Sequence, residues 1–134
     1  MKEKKRILVM EDDPKIATAL SIRLGAAGYD VKTVPNGFDG LKLAVQFHPD
    51  LLLMDIWMPV GLGFSVAQRL QSLGLGKIPM IFITASKLSG LRETAEDLGA
   101  YAFFEKPYDS AQLLDTVAKA LAGVPPCMAA APCA

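Results

Sequence analysis

The sequence predicts an α/β fold: a five-stranded parallel sheet with helices on both faces. Three observations carry this. Short apolar runs alternate five times with segments of helical periodicity in a chain of 134 residues. The connections between them are short and rich in Gly and Pro. The runs 7–10, 51–54 and 80–83 are continuously apolar, as strands buried on both faces are. Right-handed crossovers leave few ways to wind such a chain.

The first strand, 7–10, is followed by Glu11, Asp12, Asp13 and Pro14, and proline suits the first turn of a helix. That helix carries Ile16, Leu20 and Leu24 at helical spacing, with Ala17 and Ala27 as small partners, and Gly25 and Gly28 punctuate its end. Residues 29–34 read as the second strand, with Val31 and Val34 as its core candidates. Pro35, Asn36 and Gly37 form a turn. A helix over 38–47 has Leu41, Ala44 and Val45 on one face. His48 before Pro49 stops it, because the residue preceding a proline avoids the helical region. The third strand runs straight from apolar residues into Asp55. After the loop Gly61, Leu62, Gly63, a helix is predicted over 64–73, with Val66, Ala67 and Leu70 inward; Gly74 and Gly76 end it. The fourth strand, 79–83, is followed by Thr84, Ala85 and Ser86. A helix over 88–98 places Leu91, Ala95 and Leu98 on one side, and Gly99 closes it. The fifth strand, 101–104, leads into Glu105, Lys106 and Pro107. Asp109 is the N-cap of the last helix, 110–121, whose apolar side is Leu113, Leu114, Val117, Ala118 and Leu121. Residues 1–122 form one domain. Residues 123–134 lack periodicity and read as a disordered tail or the start of a linker.

Composition narrows the function. Fourteen basic and fourteen acidic residues cancel, which removes the electrostatic footprint of a nucleic-acid binder. No apolar run approaches the ~20 residues a bilayer requires. The charged start is followed by too short an apolar run for a signal peptide, so a cytoplasmic location is expected. Cys127 and Cys133 both lie in the tail, too near the chain end to staple a core and without a His to make a zinc site.

All carboxyl ends of a parallel sheet share one edge, and open α/β sheets bind ligands there. This sequence puts Glu11, Asp12 and Asp13 there from the first strand, Asp55 from the third, Thr84 from the fourth and Lys106 from the fifth. Taken alone, each has a plainer reading: Asp55 or Asp12 as a helix or turn cap, Thr84 as a strand-end hydroxyl, Lys106 as a solvated lysine. Together they limit the chemistry. Clustered carboxylates repel unless a cation joins them, and all-oxygen ligation suits Mg²⁺. A carboxylate beside such an ion can act as a nucleophile towards phosphorus and form an acyl phosphate. Phosphoryl transfer needs mainly positioning and charge compensation, which a hydroxyl and an ammonium help to supply.

The four motifs ILVMEDDP, LLLMDIWMP, IFITA and FFEKP, in this order and spacing, resemble the receiver domain of two-component response regulators over residues 5–122. The resemblance implies a flavodoxin-like, doubly wound sheet of strand order 2-1-3-4-5 with five helices. It implies that Asp55 accepts a phosphoryl group from a phosphohistidine on a sensor histidine kinase or phosphotransfer protein. Glu11, Asp12, Asp55 and the backbone carbonyl of Trp57 would hold Mg²⁺. Thr84 and Lys106 would contact the phosphoryl group, and the Lys106–Pro107 bond would be cis. Phosphorylation would draw Thr84 inward with Phe103 following, biasing a surface formed by the fourth helix, fifth strand and fifth helix. The same surface would serve a homodimer, or an output partner or domain. Lys87, Arg92 and Tyr108 are candidates for that surface. His48 reads as an exposed helix-end residue and Asp13 as a cap.

The chain departs from the family at Gly61–Gly63, where Met-Asp-Gly is usual, and at Trp57, bulky beside the acceptor and a candidate shield of the acyl phosphate against water. The expected activity is a switch that catalyses its own phosphotransfer and dephosphorylation, not an enzyme with a separate substrate. One alternative is a degenerate receiver acting as an interaction module without phosphate. Another is a phosphatase with an Asp nucleophile, which would carry a second acid where Trp57 stands.

Overall fold

The computed structural model describes residues 4–56, 63–85 and 89–126. Its elements are β1 (Arg6–Met10), α1 (Pro14–Ala26), β2 (Asp30–Val34), α2 (Gly37–Phe47), β3 (Leu51–Asp55), α3 (Gly63–Ser72), β4 (Met80–Thr84), α4 (Leu91–Asp97), β5 (Ala102–Glu105) and α5 (Ser110–Leu121). The sheet runs β2-β1-β3-β4-β5, and every adjacent pair is parallel. This is the predicted order.

Side chains alternate across the strands. Leu8, Met10, Leu52, Met54, Met80 and Phe82 pack under α2, α3 and α4 with Ala44, Val66, Leu70 and Ala95. Ile7, Val9, Leu51, Leu53, Ile81 and Ile83 pack under α1 and α5 with Leu20, Leu24, Leu113 and Val117. Both faces of β3 and β4 are therefore buried throughout, which is why those strands read as unbroken apolar runs. Each such side chain contributes about 1.5–3 kcal/mol. β2 is an edge strand, and its valines are only half-buried.

Helix ends follow local chemistry. Asp13 caps α1 by accepting from the Lys15 amide at 2.9 Å, and Asp109 caps α5 through the Ala111 amide at 2.8 Å. Asn36, read above as part of a turn, caps α2 through the Asp39 amide at 2.8 Å. His48 leaves α2 in the left-handed region, φ 53°, and the helix ends there, before Pro49. Gly40 sits in α2 against Met10; a Cβ there would come within 2.5 Å of the Met10 sulfur.

Several expectations need correcting. Ala27, Val45 and Ala118 face solvent, and Val45 is 51% exposed. On these helices Gly40, Phe47 and Ala120 take the buried positions instead. α4 begins at Leu91, not at 88, because Gly90 in the left-handed region stands at its N-cap. Gly25 lies inside α1, and the left-handed Gly28 follows its end. Trp57, Gly61, Leu62, Lys87, Cys127 and Cys133 lie outside the described residues. Among the described residues no helix is long and apolar enough to cross a membrane.

Candidate functional site

The strand register builds the site. Met10 pairs with Met54, so Glu11 and Asp55 are the next residues on neighbouring strands. Asp55 itself pairs with Ile83, and Thr84 with Glu105. Among the described residues Glu11, Asp55 and Thr84 are the buried polar side chains, exposed by 4%, 8% and 0%. Asp12 is exposed at the mouth. With Asp13 serving as the α1 cap, Asp12 is spared the capping role that was its plainer reading.

Carboxylate oxygens of Glu11, Asp12 and Asp55 all lie within 4.8 Å of one another. Lys106 completes the group. Its Nζ donates to Glu11 Oε1 at 2.8 Å and to Asp55 Oδ2 at 3.3 Å. This contact joins residues 95 positions apart in sequence. It also spans from the far end of the sheet, beyond β4 and β3, to β1, with neighbouring strands about 4.8 Å apart. The turn after β5 makes the reach possible: the Lys106 amide donates to the Thr84 carbonyl at 2.8 Å, and the Lys106–Pro107 bond is cis.

Three carboxylates face a single ammonium, and the titration directions show the imbalance. Burial pushes the Glu11 carboxyl above its usual range, and Asp55 adds to this while Lys106 opposes it. Asp12 is raised by burial and by Glu11. For Lys106, burial pulls the pKa down, but its bond to Glu11 and the fields of Asp55 and Glu11 outweigh that and hold it raised. Such a surplus of hard oxygen donors in close range fits a divalent cation of the Mg²⁺ type. Within the described residues the ligands available to it are Glu11, Asp12 and Asp55.

The sequence reading brought Glu11, Asp12, Asp13, Asp55, Thr84 and Lys106 to one edge, and four of them, Glu11, Asp12, Asp55 and Lys106, meet. Thr84 ends the strand beside Asp55. Phe103 is buried at 7% exposure in the layer under α4, and Arg92 lies over its ring, Cζ 4.9 Å from the centroid. Gly63 was noticed only as part of a loop. A Cβ there would stand 2.7 Å from the Asp55 carbonyl oxygen, so the start of α3 presses directly on the backbone of Asp55. The signal available in sequence was a glycine at the start of a helix, where Ser, Thr, Asp or Asn would serve better.

The family described as response regulator receiver domain matches residues 7–118. The chain is 39% identical over 118 residues to the DNA-binding dual master transcriptional regulator RpaA of Synechocystis sp., covering 84% of this chain and 47% of that protein. It is 38% identical over 109 residues to the transcriptional regulatory protein DltR of Streptococcus agalactiae, covering 81% and 48%. It thus spans about half the length of the curated relatives it matches. Among solved structures, the signal receiver domain of a histidine kinase from Syntrophus aciditrophicus superposes with a TM-score of 0.82 at 30% identity, over 90% of this chain and 92% of that one. The BeF3-activated N-terminal receiver domain of Klebsiella pneumoniae RstA gives 0.80 at 26% identity, over 87% and 98%.

Proposed function

This chain belongs to the response regulator receiver domain family of two-component signalling, and from that premise we propose that Asp55 is its phosphoacceptor, served by Glu11, Asp12, Thr84 and Lys106. The observation that carries the reading is Lys106 bridging Glu11 and Asp55 from the opposite end of the sheet.

An Asp55 carboxylate oxygen attacks the phosphorus of a phosphohistidine on a sensor kinase or phosphotransfer protein. The P–O bond forms, the P–N bond breaks, and the imidazole leaves with the electron pair. Glu11 and Asp12 would hold Mg²⁺ beside Asp55, and the ion would neutralise charge on the phosphoryl oxygens. Lys106 moves its ammonium from Glu11 to one phosphoryl oxygen, a change of partner that needs little travel because Nζ is already beside Asp55. The Thr84 hydroxyl donates to another. Expulsion of bulk water by the apolar strands behind the site strengthens each of these contacts. Water attack on the same phosphorus ends the signal.

Residues 1–122 act as the switch, with 123–134 a tail or the start of a linker. The Tyr101 hydroxyl donating to the Val124 carbonyl at 2.7 Å supports a defined exit for that segment. The output is a partner or a following domain reached through α4, β5 and α5, a surface that also suits a homodimer. The location is cytoplasmic, where kinase and receiver meet.

Incubation with acetyl phosphate and Mg²⁺, followed by intact-mass measurement, tests this. The expected product gains one phosphoryl group; none is gained when Mg²⁺ is chelated before donor addition, nor in Asp55→Asn. A wild-type protein that stays unlabelled would overturn the reading and favour the degenerate receiver.

A further inference from the structure

α4 is weakly anchored. It has seven residues, and only Ala95 is buried, with Leu91 half-buried against the core, so a short length and a narrow apolar face hold it loosely. Its N-cap, Gly90, offers no side-chain hydrogen bond. Arg92 occupies its first turn, where the helix dipole disfavours a cation. Among the described residues Arg92 has no carboxylate partner. What it has instead is the face of Phe103, with Cζ 4.9 Å from the ring centroid. An arginine stacks on an aromatic face through both its charge and its plane. Phe103 belongs to the buried cluster that includes Phe82, Ala95 and Ala100, and the half-buried Leu91 packs against that cluster.

From this geometry we propose that Arg92 is a positioning residue for Phe103: the guanidinium holds the ring inward and ties α4 to β5, so that occupation of Asp55 and the placement of α4 are coupled through one contact. The proposal rests on the phosphoacceptor reading of Asp55. Its logic is reciprocal. If the inward ring accompanies phosphoryl binding, a contact that stabilises the inward ring beforehand lowers the conformational cost of that binding. Arg92 and Phe103 therefore form one unit. Removing either member loses the effect, and removing the second adds nothing. Arg92→Lys keeps the charge but not the plane and should retain part of it.

Beryllofluoride with Mg²⁺, a non-covalent phosphoryl mimic, reads this out at equilibrium in the full chain. Arg92→Gln, an exposed substitution, is expected to weaken its binding roughly three- to tenfold, with Arg92→Lys in between. In a Phe103→Leu background, Arg92→Gln should cause no further loss. Independently, amide exchange across residues 91–98 of the unliganded protein should speed up in Arg92→Gln. Unchanged affinity in Arg92→Gln, or an equal loss in both backgrounds, overturns the coupling. A wild-type protein that binds no beryllofluoride overturns the reading of Asp55 itself, and the coupling falls with it; the exchange data then report only a local packing contact.

Discussion

β3 holds two neighbourhoods one residue apart. Leu51 to Met54 are buried on both sides with no polar group among them. Asp55, the next residue, sits among two further carboxylates with one lysine to share. The first neighbourhood obeys the rules of burial, and the second strains them, since burial and the nearby Asp55 push the Glu11 carboxyl above its usual range. The difference teaches where stability and function part company. Substitutions behind the edge should damage the fold, whereas removing a carboxylate charge at the edge should spare or strengthen it while ending the chemistry.

The sharpest contrast comes from Phe82, fully buried and edge-on to Phe64 with centroids 5.0 Å apart. Phe82→Ala should cost about 3–5 kcal/mol in urea unfolding. Gly63→Ala lies on the border of the two neighbourhoods. Its methyl would meet the Asp55 carbonyl, and the shift required should cost about 1–3 kcal/mol, with slower phosphoryl labelling in whatever fraction remains folded. Lys106→Ala leaves Glu11 and Asp55 without their counter-charge. With the lysine side chain 17% exposed, solvent softens the loss to about 1–2 kcal/mol, measured by the same unfolding midpoint without Mg²⁺. Asp55→Asn should move the midpoint the other way, by up to about 1 kcal/mol, because an amide keeps an acceptor for Lys106 and removes a like charge near Glu11. A destabilised Asp55→Asn would break the contrast. Val45→Ser, on the exposed side of α2, should stay within about 0.5 kcal/mol.

What could be read from the sequence follows the same division. The apolar runs of β1, β3 and β4 identified themselves because both faces are buried, and strand ends then placed Glu11, Asp12, Asp55, Thr84 and Lys106 on one edge. The helices were read less well. Val45 and Ala118 are apolar yet exposed, and periodicity cannot separate such a residue from a core neighbour one position away. Asn36 stands in a Pro-Asn-Gly string that signals a turn as strongly as a cap. The start of α4 depends on the left-handed Gly90, a backbone fact that composition does not announce. Lys106 reaching Glu11 across the sheet has no local signal at all; strand ends and the family resemblance pointed only to a lysine on the shared edge, as a phosphoryl contact. Gly63 was invisible as a functional residue because its role is the side chain it lacks.

The central claim is that one carboxylate among several becomes phosphorylated. After reaction with acetyl phosphate and Mg²⁺, borohydride reduction converts an acyl phosphate to an alcohol and marks the residue that carried it. Tandem mass spectrometry of the peptides is predicted to find that mark at position 55. A mark at Glu11, Asp12 or Asp13 in its place, or none anywhere, would contradict the account.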